Sequence, residues 1–144
     1  MDKESKCMIV FSGFNQRAVI AFLRTLKKNR VEYAIIAKSK EDDILLTKYK
    51  DKVLAIRNSV PLVLEDMLKS IEEVKRILKN KEFIIAPSTE ALNRFLLDNK
   101  EHFDRINCKI PLVNRNKYNL ISDKYSFGME CKKHGILVPS ELNI

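Results

Sequence analysis

Short, continuous apolar runs alternate along the chain with longer stretches in which apolar residues recur every three or four positions. The first run, Cys7–Phe11 (CMIVF), is unbroken and predicts a buried strand. Ser12-Gly13-Phe14-Asn15 then predicts a turn. A helix follows to about Lys28, with Val19, Phe22, Leu23 and Leu26 forming its apolar stripe. Tyr33–Ala37 (YAIIA) predicts a second strand, and the strand–helix–strand succession reads as a βαβ unit with a right-handed crossover. Glu41–Tyr49 suggests a brief helix around Ile44, Leu45 and Leu46, and Val53–Ile56 (VLAI) a third strand. A long helix is expected from about Pro61, a residue suited to a first turn, with Leu64, Met67, Leu68, Ile71, Val74 and Leu78 facing inward. Phe83–Ala86 (FIIA) is the fourth predicted strand. Pro87-Ser88-Thr89 ends it and caps a helix carrying Leu92, Phe95 and Leu96, and Lys109–Val113 is a last short strand, which Pro111 places at an edge or irregular position.

Alternating strands and helices, with strands apolar throughout, predict a parallel sheet covered on both faces. The expected fold is therefore α/β, a Rossmann-like three-layer αβα arrangement with a parallel sheet of four to five strands. The one compositional boundary is the polar, basic stretch Asn114–Asn119, which divides an α/β domain at residues 1–115 from a segment at residues 116–144. That segment contains one more predicted helix. Asp123 starts it as a cap, Phe127 and Cys131 share its buried face, and Lys132, Lys133 and His134 crowd its last turn. Gly135 supplies a left-handed stop, and Pro139 prevents a restart nearby.

Composition narrows the picture modestly. A chain of 144 residues with 45% apolar and 32% charged residues fits an ordinary globular domain with a real core. No apolar run approaches membrane-spanning length, the N-terminus lacks a signal-peptide pattern, and the cytoplasm is the expected compartment. Cys7, Cys108 and Cys131 lie apart on apolar segments, so each is expected to be a small buried hydrophobe in a reducing environment. His102 and His134 have no partners at metal-ligand spacing, and no metal site is expected. The net charge of +8 concentrates between Lys100 and Lys133, where eight basic residues face four acidic ones. Such a field can attract polyphosphates or nucleic acid. Without a nucleic-acid motif or an aromatic stacking platform beside it, a nucleic-acid partner is not expected.

In open α/β sheets, ligands bind beyond the carboxyl ends of the strands. The residues there are Ser12, Gly13, Phe14 and Asn15, Lys38-Ser39, Arg57-Asn58-Ser59, and Ser88 and Thr89 after Pro87. Ser12, Gly13, Phe14, Asn15, Ser88 and Thr89 are the ligand-binding candidates. Each also has a structural explanation, since Ser, Thr and Asn cap helices and Gly makes turns. The glycine fingerprints of dinucleotide and P-loop sites are missing, and Asp42-Asp43 reads as helix-start electrostatics rather than a metal pair. The loops after the first and third strands lack the carboxylates of a phosphoacceptor domain. No acid–base pair or activated nucleophile emerges, so no residue is assigned a catalytic role.

Asp123-Lys124, then Phe127, Cys131, Gly135-Ile136 and Pro139, resembles the segment that opens the ATP-grasp fold in carboxylate–amine and related ligases. That family commonly shows Asp-Lys, a patterned helix and then Gly-[Ile/Val]-Pro-x-Pro, and Leu137 stands here where the first of those prolines is usual. The order of elements before it resembles the family's N-terminal, pre-ATP-grasp domain, and the run Ser88–Leu96 adds to the likeness. The resemblance implies that Lys124 meets the phosphates of ATP, and that the other nucleotide and Mg²⁺ ligands lie downstream of this chain. The full-length protein would use ATP and Mg²⁺ to activate a small carboxylate substrate as an acylphosphate for attack by an amine or similar nucleophile. On this reading residues 1–144 are a truncated, inactive opening part, joined to a downstream ATP-grasp domain and able to form a homodimer. The alternative is a free-standing α/β module that binds a small anionic ligand or a protein partner.

Overall fold

A computed structural model describes residues 5–79 and 82–139. The expected α/β class is what is found. The strands are β1 (Lys6–Phe11), β2 (Glu32–Ala37), β3 (Val53–Ile56), β4 (Glu82–Ile85) and β5 (Cys108–Lys109). They form one all-parallel sheet in the order β3-β2-β1-β4-β5. With right-handed crossovers, the connections leading towards β3 and those leading towards β5 cover opposite faces, which makes the three-layer Rossmann-like αβα fold.

The period-2 alternation of β1 sorts its side chains between these faces. Val10 lies opposite Ile35 in the ladder and joins Val19, Leu23 and Leu26 of α1 (Gln16–Lys28) in one core layer. Phe11, Ile36 and Ile85, like Met67 and Ile71 of α2 (Leu64–Ile77), are completely buried. The register of β2 with β3 slips between Ile35 and Ile36, so that Ile36 pairs with Ala55.

Several boundaries differ from the sequence expectation. The long helix begins at Leu64, not near Pro61. The cause is Asp66, whose carboxylate accepts from the backbone N–H groups of Asn58 (2.8 Å) and Ser59 (3.0 Å) and so holds residues 58–63 as a loop over the helix start. The brief helix at Glu41–Tyr49 is a 3₁₀ turn at Asp43–Leu46, with a second at Lys50–Lys52. The last strand is reduced to Cys108–Lys109, because Pro111 cannot donate to a ladder. After α3 (Glu90–Asp98) there is a further helix, α4 (Lys100–Arg105), whose Phe103 is completely buried.

The chain divides into two compact units, the first ending at Pro111 and the second beginning at Leu112. In the second, α5 (Arg115–Ser122) packs on α6 (Lys124–Lys133). Asn114–Asn119, polar enough in sequence to suggest a connection, is therefore largely helical. Asn114 caps α5 by accepting from Lys117 N–H at 2.9 Å. Asp123 caps α6 through Ser126 N–H at 2.7 Å. Gly135 has φ +68°, and the bonds Gly135 N–H to Lys132 O and Ile136 N–H to Cys131 O close the helix as a Schellman motif. Phe127 departs from expectation: it is 47% exposed, while Cys131 is buried. The apolar residues of α6 stand at every second position (Tyr125, Phe127, Met129, Cys131), which spreads them around a helix instead of aligning them. All three cysteines are buried, as their apolar settings predicted.

Candidate functional site

The strand order places a topological switch between β1 and β4, where successive connections diverge to opposite sides. The two loops leaving the sheet there are Ser12–Asn15 and Pro87–Thr89, which together contain all six ligand-binding candidates of the first unit. Each loop is tied down where it leaves the ladder. Ser12 N–H donates to Ile36 O at 2.9 Å and Ala86 N–H to Ile9 O at 2.8 Å.

Most of the candidates have a structural role. Gly13 has φ +90°, and a Cβ there would lie 2.4 Å from Lys38 Cβ, so both conformation and space demand glycine. Asn15 caps α1 by accepting from Ala18 N–H at 3.2 Å. Thr89, not Ser88, caps α3 by accepting from Leu92 N–H at 3.3 Å. Ser12 is completely buried, and its hydroxyl lies 3.0 Å from Asp42 Oδ1 and 3.2 Å from Gln16 Oε1. Phe14 is half-buried, with its ring centroid 5.4 Å from Arg57 Cζ. Ser88 is the exception: its Oγ is shut off from solvent and has no hydrogen-bond partner among the described residues.

Two charged residues outside the candidate set organise this edge. Asp42 is only 3% exposed, and its carboxylate accepts from Lys38 N–H (2.7 Å), Ile44 N–H (3.0 Å) and the Ser12 hydroxyl. It caps the 3₁₀ turn, as its position in the sequence suggests, and also ties the β1 loop to the β2 loop. Arg57, at the end of β3, is equally buried; its Nη2 donates to Val60 O at 3.2 Å and its Nε has no partner among the described residues. Burial pushes the Arg57 guanidinium below its ordinary pKa, and the carboxylates of Asp66 and Asp42 oppose that shift. Arginine keeps its proton regardless, so the strand edge holds a buried cation beside the carboxylates of Asp66 and Asp42. The sequence signal for Arg57 is a charged residue just beyond an apolar strand, and for Asp42 an acidic residue at a helix start, patterns that solvated loops share.

Between α1 and the exit of β4 lies a cavity of about 210 Å³. Val10, Ala18, Val19 and Phe22 form one wall, and Ala86, Pro87 and Ser88 the other. Ser88 is the single polar residue in this lining.

Lys124 belongs to the second unit, as the exposed first residue of α6 directly after the Asp123 cap. The Ser126 hydroxyl and N–H hold the Asp123 carboxyl below its ordinary pKa, keeping the cap charged at neutral pH. Among the described residues no group of three His, Cys, Asp or Glu is placed to hold a metal ion, and no helix is long and apolar enough to cross a membrane.

The fold and these loops define a Rossmann-like α/β domain with an apolar crevice at its switch point. No protein-family model matches the chain, and no curated protein sequence matches it.

Proposed function

We propose that this chain is the opening, substrate-cleft domain of an ATP-dependent ligase of the ATP-grasp type, non-catalytic by itself. The observation that carries the reading is a parallel 3-2-1-4-5 sheet followed by a separate unit whose last helix starts with a capping Asp123 and an exposed Lys124. A lysine at the positive end of a helix suits a polyphosphate, as a mobile point charge added to the helix's own field. Lys124 would therefore hold the phosphates of ATP. ATP supplies a phosphoryl group that turns a carboxylate into an acylphosphate. The role of the first unit is to orient the small carboxylate-bearing substrate at the β1 and β4 loops and to exclude water there.

The test is made on the native protein. Its intact mass is compared with 16.8 kDa, and ADP release is followed with a panel of small carboxylates and amines. The expected result is a longer protein that releases ADP only when a carboxylate and an amine are both supplied. Lys124→Ala should then raise the KM for ATP about tenfold or more, on the scale of a lost charge-assisted contact. A native mass of 16.8 kDa without ligation by any associated subunit overturns the reading and favours a free-standing binding module.

A further inference from the structure

The two edges of the sheet are protected unequally. At one, β5 has only two residues, with Lys109 exposed and Pro111 close behind, and a short strand, a charge and a proline each keep an edge from pairing with another chain. At the other, β3 reads VLAI, with neither a charge nor a proline, and no strand lies beyond it. β3 and α2 share a shallow groove of about 340 Å³ lined by Leu54, Glu73, Arg76 and Ile77. Ile77, the last residue of α2, is 57% exposed, and Leu54 is half-buried. Glu72 and Lys75 of the same helix pair with each other at 3.5 Å, whereas Glu73 and Arg76 have no ion-pair partner among the described residues.

An apolar pair flanked by one positive and one negative group is what a two-fold axis requires. Each group then meets its opposite on the other copy, and the same patch serves both sides. An unlike partner of single charge would satisfy one of the two groups and repel the other. We propose that this flank of β3 and α2 is the contact surface of a homodimer of the chain. Leu54 and Ile77 of the two copies meet at the axis, and Glu73 of each copy pairs with Arg76 of the partner subunit. α2 ends shortly before β4 begins, so the groove lies towards the amino ends of the strands and a dimer leaves the β1 and β4 loops open. The surface is thus independent of the ligase reading. Centred on four residues, it is at the small end for specific interfaces, which corresponds to a dissociation constant of about 10–500 µM.

Sedimentation equilibrium of the 144-residue chain at concentrations up to about 1 mM, well above that range, should show a reversible monomer–dimer equilibrium. Glu73→Arg and Arg76→Glu each set like charges against one another twice and should weaken the dimer about tenfold or more. An equimolar mixture of these two variants should form a heterodimer within about threefold of the original affinity, because both contacts are again between opposite charges. The double variant should do the same by itself. Ile77→Lys, at an exposed helix end where a cation suits the dipole, should leave thermal unfolding of the monomer unchanged while weakening the dimer about tenfold or more. A chain that stays monomeric throughout, a dimer indifferent to Ile77→Lys, or a mixture of the two charge variants that fails to associate overturns the proposal.

Discussion

At the residue scale, the three glycines of this chain separate cleanly by what surrounds them. Gly13 combines a positive φ with contact against Lys38, whereas Gly128 sits inside α6 with nothing within 4 Å of where an added methyl carbon would stand. Gly13→Ala should therefore cost about 2–4 kcal/mol, from left-handed strain plus overlap with the Lys38 side chain. Gly128→Ala should have the opposite sign and strengthen α6 by about 1 kcal/mol, the ordinary helix-propensity difference. Urea unfolding of the first unit's strands and amide exchange along α6 would read the two effects separately. The sequence makes Gly13 legible as a turn, because a small polar cluster follows an apolar strand. It does not show the approach of Lys38, which depends on how β1 and β2 lie side by side. Ser88 illustrates the converse. Its neighbour Thr89 has the same capping chemistry, and only the geometry shows which of the two hydroxyls is left over.

Among the elements, those announced by a strong period are found close to where the pattern puts them. The first three strands and α1 lie within a residue or so of expectation, since burial on a sheet face and a helical stripe each leave a direct mark on composition. Misplaced or overlooked elements depend on polar contacts instead. The start of α2 is set by Asp66, α5 is held by Asn114 and buries none of its own residues, and α4 is a single short turn system anchored by Phe103. The role of Asp66 has a measurable consequence. Asp66→Ala leaves the N–H groups of Asn58 and Ser59 without acceptors and removes a carboxylate from the neighbourhood of Arg57. It should lower stability by about 1–3 kcal/mol and speed amide exchange at Asn58 and Ser59, while Val10 and Ile36 exchange only with global unfolding. Asp66→Asn keeps one acceptor and should fall between. Equal exchange rates for all four amides would show that the loop is not held by this carboxylate.

For the whole molecule, the buried Cys108 thiol couples the core to alkaline pH. Burial pushes the Cys108 thiol up to about 12, against only a partial offset from Lys75. In the unfolded chain the same thiol ionises near its ordinary value, so between roughly pH 9 and 12 the unfolded state holds fewer protons than the folded one. Stability should then fall as pH rises through that window, with a slope approaching about 1.4 kcal/mol per pH unit from this one group. Cys108→Ala should flatten the slope even though it lowers stability at neutral pH. At about pH 8, below the ordinary thiol pKa, the native thiol should resist a maleimide that labels it rapidly in denaturant, and equal rates in the two states would contradict its burial.

The strand order also fixes the sequence of events as the chain leaves the ribosome. β1 is made first and finds its β2 partner soon after, but its other edge belongs to β4, which is not synthesised until Glu82–Ile85. Throughout that interval the growing chain carries an apolar strand with one open edge, a template for mispairing with any neighbouring strand. The molecule thus has a built-in interval of exposure to mispairing, which ends when the fourth strand closes the central gap.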